Sequence, residues 1–225
     1  MKRFLSLFFI FLLVLSLPVS LFSCDREYDA EFVKAEAKIL IEKSLVLNDI
    51  YWGEGIPYFK NTSTEVYCEA NFLALSELGF YTVEELKQKT LEVFSTDYSN
   101  SIFKTAFSSI NDGEEIRFYA RYYQKYEDAE MTIPVTIMVY SKFKNMLPDK
   151  IEYLYDTIEV THSDGDIVFV KLNVKITTED GKTQIREKVI GLVEEDAGWR
   201  IETSTYITYN EKQDEYEDLK QNKNK

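Results

Sequence analysis

The sequence predicts an α+β domain: N-terminal helices packed on a strongly curved antiparallel β-sheet. Three observations carry that expectation. Residues 151–206 are punctuated by three acidic Gly turns, Ser163-Asp164-Gly165-Asp166, Glu179-Asp180-Gly181-Lys182 and Glu195-Asp196-Ala197-Gly198. Glycine accepts the positive φ of tight hairpins, so Asp-Gly between apolar runs signals a meander. Between the first two turns, Val168, Val170, Leu172, Val174 and Ile176 alternate with Phe169, Lys171, Asn173, Lys175 and Thr177, the period of a sheet covered on one face. From Phe32 onward the spacing is helical instead, with Lys34, Glu36, Lys38, Glu42 and Lys43 opposite a broad apolar stripe.

The length, 225 residues, suits one domain once an export segment is removed. A formal net charge of -13 argues against nucleic acid as a partner, because binding to phosphates depends on Lys and Arg. An acidic partner is disfavoured, while a basic protein or a bound cation stays open.

Residues 1–23 have the parts of an export signal. Lys2 and Arg3 form a positive start, Phe4 to Leu17 an apolar run, and Leu21-Phe22-Ser23-Cys24 ends it with a small residue before a cysteine. This resembles a bacterial lipoprotein signal peptide. The resemblance implies cleavage between Ser23 and Cys24, diacylglycerol on the Cys24 thiol as the bound group, and an extracytoplasmic protein held on the outer face of the cytoplasmic membrane. Phe22 is bulkier than that pattern usually has. An uncleaved anchor or an ordinary secretory peptide would use the same apolar run; the cysteine at the junction favours the lipoprotein. Residues 24–31 then form a polar tether, 32–209 a single domain, and 210–225 a polar tail without apolar periodicity. With Cys24 acylated, Cys68 has no disulfide partner and reads as a small buried residue.

The first helix is expected to end at Gly53 in a left-handed cap. The loop after it, Tyr51-Trp52-Gly53-Glu54-Gly55-Ile56-Pro57-Tyr58-Phe59, sets four aromatics around one carboxylate. Trp52, Glu54 and Tyr58 are candidate binding residues, against the alternative that the loop folds back over the core. Asn71 to Gly79 reads as a loop or a short helix. Thr82-Val83-Glu84-Glu85 is a capping box, with Tyr81 and Leu86 spaced as a hydrophobic staple, and a helix follows to about Phe94. Ser95 or Thr96 caps another, carrying Tyr98, Ile102, Phe103, Ala106 and Phe107.

The next segment alternates Ile116, Phe118, Ala120 and Tyr122 with Arg117, Tyr119, Arg121, Tyr123 and Lys125. The second set is a cationic and aromatic ladder able to stack sugars or pair carboxylates, or simply a solvated face with cross-strand acidic partners. Arg117, Tyr119, Arg121 and Tyr123 are the candidates here. Ile133 to Val139 gives another strand, with Pro134 marking an edge or a strand start. Apolar phase slips between Tyr155 and Ile158 and between Val189 and Gly191 predict bulges that curl the sheet.

This element order, finishing in Gly198-Trp199-Arg200-Ile201, resembles the NTF2-like, or cystatin-like, α+β roll. More narrowly, Tyr81-Thr82-Val83-Glu84-Glu85-Leu86-Lys87, then Val93-Phe94-Ser95 and the aromatic helix to Phe107, are similar to secreted Firmicute proteins of the IseA type. That resemblance implies inhibition of cell-wall DL-endopeptidases, the NlpC/P60 cysteine peptidases, with no chemistry of the inhibitor's own. Its inhibitory residues map onto no motif of this sequence.

Catalytic and metal-ligating residues are not indicated. His162 is the one imidazole, placed beside a hairpin turn, so Ser/His/Asp, Cys/His and His-based metal sets lack support. Asp164 and Asp166 fall short of a calcium loop's ligand count. The expected function is therefore a non-enzymatic envelope module that binds a wall hydrolase. The alternative is a small-ligand binder or enzyme using the concave pocket of an NTF2-like roll.

Overall fold

A computed structural model of the chain describes residues 28–59, 66–112, 115–148, 150–177 and 181–207. The architecture is mixed α+β. Helix α1 (Ala30–Trp52) leads, followed by β1 (Tyr67–Glu69), α2 (Phe72–Leu78), α3 (Val83–Leu91) and α4 (Thr96–Ala106). The strands β2 (Ile110–Asp112), β3 (Glu115–Phe118), β4 (Tyr122–Tyr126), β5 (Pro134–Tyr140), β6 (Lys150–Asp164), β7 (Ile167–Thr177), β8 (Thr183–Glu195) and β9 (Gly198–Ile201) come after. They do not form the one continuous sheet expected. The meander β6-β7-β8-β9 stands as one antiparallel sheet, β1-β5-β4 as a second, and β2-β3 as a separate pair.

Local chemistry explains most element ends. The Asp29 carboxylate accepts the Glu31 and Phe32 amides and starts α1 before the expected Phe32. Asn71 does the same for α2, resolving the undecided segment as a helix. Thr82 and Glu85 make the reciprocal capping box, and Ser95 caps α4 through the Tyr98 amide. Tyr81 is largely exposed and packs on Phe72, 5.3 Å between ring centroids. Helix α3 stops at Leu91, short of Phe94, because Val93 and Ser95 instead exchange backbone hydrogen bonds with Ile201. That short pairing covers the outer edge of β9.

Gly53 does end α1, but with φ -93°, not in the left-handed region. Its need for glycine is spatial: a Cβ there would sit 2.1 Å from Asp49 Oδ1.

The core lies between α1 and the meander. Val33, Ala37, Leu40, Ile41, Leu47 and Ile50 meet the even residues of β7, Val168 to Ile176, all buried as the alternation requires. Trp199 closes one end, with Tyr28 edge-on at 5.4 Å. The slip in β6 is a true bulge: Glu159 pairs next after Leu154, although their partners Lys171 and Asn173 are two residues apart. Thr157 bridges the gap by donating to the Leu154 carbonyl and accepting the Asn173 amide.

The bulge expected at Val189 to Gly191 is absent, since β7 and β8 pair without interruption from Ile167↔Val193 to Thr177↔Thr183. The apolar pattern changes phase there because the face changes partner. Ile190 and Leu192 face the core, while Gln184, Arg186 and Lys188, on the same side, have run beyond it; Ile185 on the opposite side is 63% exposed.

Candidate functional site

Four places carry the residues singled out by sequence or by geometry. The first is the Tyr51–Phe59 loop, built on an internal cation. Arg121 is 3% exposed and donates from Nη1 to the Tyr51 carbonyl (3.0 Å), from Nη2 to the Gly53 carbonyl (2.7 Å) and from Nε to the Tyr122 hydroxyl (2.9 Å). Its guanidinium lies 3.5 Å from the Phe143 ring centroid. The Tyr122 hydroxyl also accepts the Ile56 amide and donates to the Ile50 carbonyl. A buried planar cation thus takes up carbonyls at the negative end of α1, where a positive charge is favoured. Burial pushes the Tyr122 phenol above its usual range, although Arg121 opposes the shift. Tyr51 is buried and bonded to Thr90, and burial raises its phenol as well.

The loop therefore folds back over the core. Trp52 is half-buried, with the Tyr206 ring 5.2 Å and the Tyr51 ring 6.5 Å away. Tyr58 is half-buried and donates to the Ser141 carbonyl. Glu54 alone of the three loop candidates is exposed.

The expected Arg117 to Lys125 ladder does not form, which is the second finding. The strand breaks between Phe118 and Tyr122, and Ala120, Arg121 and Tyr122 are buried in succession. Arg121 turns inward because three acceptors at the end of α1 compensate its desolvation. Arg117 lies on β3, and its side chain falls outside the described residues. Tyr119 and Tyr123 do share a face: Tyr119 stacks on Tyr140 at 5.1 Å, and Tyr67 meets Tyr123 edge-on at 4.8 Å. Lys125 is ion-paired with Glu69, the cross-strand arrangement of a solvated face.

The third place was not singled out by the sequence. The β4–β5 hairpin ends in a braced tip, where Glu127 donates to the Ile133 carbonyl and Asp128 Oδ1 accepts the Thr132 and Ile133 amides. Thr132 Oγ1 donates to the other Asp128 oxygen. These bonds hold the Asp128 carboxyl below the ordinary carboxylate range. Met131 takes φ 55°, a conformation costing a non-glycine residue about 1–2 kcal/mol. The tip displays Met131 (69% exposed), Ile133 (52%) and Val135 (53%) beside Glu127, Asp128 and Glu130. The strand continues its apolar alternation past the core, so Ile133 and Val135 look like core positions in the sequence.

The fourth is an open cleft of about 400 Å³ at the C-terminal end of α1. Its floor and walls come from Leu45, Asn48, Asp49 and Glu54, from Asn145, Leu147 and Pro148, and from Ile151, Tyr153 and Tyr206.

Ser23, Cys24 and the 210–225 tail lie outside the described residues. Cys68 is buried on β1. His162 stacks on Phe169 at 4.7 Å and contacts the Thr161 hydroxyl. Comparison with known proteins returns no match among family models, curated proteins or solved structures.

Proposed function

We propose that this protein is a lipid-anchored, extracytoplasmic, non-catalytic binding module that restrains a cell-wall DL-endopeptidase of the NlpC/P60 type. The observation that carries the reading is the β4–β5 tip. A protruding apolar group in a conformation fixed before contact loses little entropy on binding, which favours tight association. Met131, Ile133 and Val135 supply the apolar anchor, and Glu127, Asp128 and Glu130 supply an acidic rim. A cleft with basic margins is the complementary surface, and the chain's net charge of -13 steers such a partner toward it. The likeness of the Ser23-Cys24 junction to a lipoprotein signal supports a location where wall enzymes work.

The test is peptidoglycan digestion by an NlpC/P60 peptidase with and without the purified protein, followed as loss of turbidity. Inhibition that disappears in Met131→Asp/Ile133→Asp, with the fold intact by circular dichroism, supports the reading. Undiminished cleavage at stoichiometric excess of the unaltered protein refutes it. A second reading, small-ligand binding, draws on the cleft at the end of α1.

A further inference from the structure

We infer that the outward side of α1 is a self-association surface, on which a second copy of this chain packs its own α1 antiparallel about Ile39. It stands independently of the module reading.

Helix α1 is apolar on two sides. Val33, Ala37, Leu40, Ile41, Leu47 and Ile50 are buried against the meander. On the helical wheel Phe32, Ala35, Ile39 and Val46 lie on the opposite side, and all four are exposed, Phe32 and Val46 at 53% and Ile39 at 43%. A helix with apolar residues on both sides has the pattern of one covered on both sides. The three large residues are evenly spaced, with Ala35 and Glu42 between them, so that steps of three and four alternate along the row. That alternation keeps the row on one line, the seam through which two helices pack. From Phe32 to Val46 the row is about 21 Å long. Apolar residues scattered singly over a surface need no partner, whereas an aligned row marks an interaction site.

Charge identifies the occupant. The chain carries -13 overall, which sets two copies against each other in general. Between Glu31 and Val46, however, α1 balances Lys34, Lys38 and Lys43 against Glu31, Glu36 and Glu42. Two copies meet there without net repulsion. A basic protein or an anionic lipid surface gains no steering from a neutral side.

The same residues set the direction. Glu36 and Lys43 flank the row on one side, and neither is ion-paired with a described residue. A two-fold axis beside Ile39 sets Phe32 against Val46 of the second copy. It also brings Glu36 within about 1.5 Å, one residue's rise, of level with Lys43 of the second copy, and the symmetry makes that pair twice. On the other flank Lys38, 4.0 Å from Glu42 of its own helix, approaches Glu42 of the second copy as well. A parallel pair would set Glu31 beside Glu36 and Lys38 beside Lys43 of the second copy, like charges at both places.

The test is sedimentation equilibrium of the full chain in density-matched detergent over roughly 5–500 μM, a range suited to an interface as small as one helix face. A reversible monomer–dimer equilibrium is expected. Ile39→Lys, at an exposed position, should weaken dimerisation roughly tenfold with the fold intact by circular dichroism. Glu36→Lys and Lys43→Glu each place like charges together and should weaken it severalfold. The double variant Glu36→Lys/Lys43→Glu should restore it, because the exchanged charges again meet as opposites. Oxidation reads the direction: Phe32→Cys and Val46→Cys should form a disulfide dimer when mixed, above the background of the unaltered chain, and neither should do so alone. A chain that stays monomeric across the range, including one whose row binds phosphatidylcholine vesicles instead, overturns the inference. Dimerisation unchanged by Ile39→Lys, a charge exchange that fails to restore it, or Phe32→Cys linking to itself overturns it too.

Discussion

Replacing Arg121 separates its packing from its charge. In Arg121→Met most of the aliphatic stem is kept, and what is lost is the guanidinium, with its contact to the Phe143 ring and its bonds to the Tyr51 and Gly53 carbonyls and to the Tyr122 hydroxyl. Bonds from a charged donor are gross contributions of roughly 1.5–3 kcal/mol each, yet the native protein also bears the desolvation of the guanidinium, which the variant escapes. The residual is the cost of leaving two carbonyls short of a donor, giving an expected loss of about 2 kcal/mol. Arg121→Ala adds a cavity beside Phe143 and raises the loss to about 4 kcal/mol. Against a typical domain stability of about 5–15 kcal/mol the second variant stands near the edge of folding. Urea denaturation followed by tryptophan fluorescence reads both, because Trp52 sits at the clamped end of α1. Hydrogen exchange should localise the damage to the Gly53 and Gly55 amides, which bond to α1 carbonyls. An Arg121→Met midpoint within error of the unaltered protein would show that the clamp contributes packing alone.

Thr205→Val breaks the chain from Asn48 to Ser44 at constant shape and should cost about 1–3 kcal/mol in the same denaturation assay. Gly53→Ala forces its Cβ onto Asp49 Oδ1 and should destabilise by about 1–3 kcal/mol; a neutral result would mean Asp49 moves freely. Glu85 accepts the Tyr81 and Thr82 amides, which hold its carboxyl below the usual range. A depressed folded-state value means the contribution is complete above the ordinary glutamate range and is lost as pH falls through the folded value. The stability gap between the unaltered protein and Glu85→Gln should therefore close on acidification. Tyr51 and Tyr122 are raised by burial, so their protons hold in the fold while the unfolded chain ionises. Stability should fall as pH climbs above the ordinary phenol range, with alkaline absorbance titration showing these two tyrosines ionising only on unfolding.

Where sequence and structure part company, local rules met tertiary context. The capping box at Thr82, the Ser95 cap and the β7 alternation depend on neighbours a few residues away, and each appears as read. The β6 slip was legible for the same reason, since a bulge shifts the pattern of its own strand. The β8 slip leaves an identical trace with a different cause, the end of the core beneath a straight ladder, and only the pairing register tells the two apart. Arg121 shows the limit most clearly. Its place in an alternating run suggested a wet face, but the acceptors that draw it inward lie about seventy residues away, at the end of α1. Glu54 was visible as the one carboxylate of an aromatic loop. Its companions Asn48 and Asp49 were hidden inside a helix read only for its apolar stripe, and the β4–β5 tip was hidden by apolar residues that mimic core positions.

The polar tie from Thr205 to Ser44 and Asn48 joins one of the last described segments to the first helix. Tyr153 adds to it by donating to the Thr205 carbonyl, and Tyr28 meets Trp199 at the start of the same helix. Among the described elements helix α1 is the first to emerge in synthesis, and it cannot complete its burial until β9 and the residues through Thr205 have followed. Long-range closure of this kind slows folding. A chain so arranged cannot lock its core until its far end has been made.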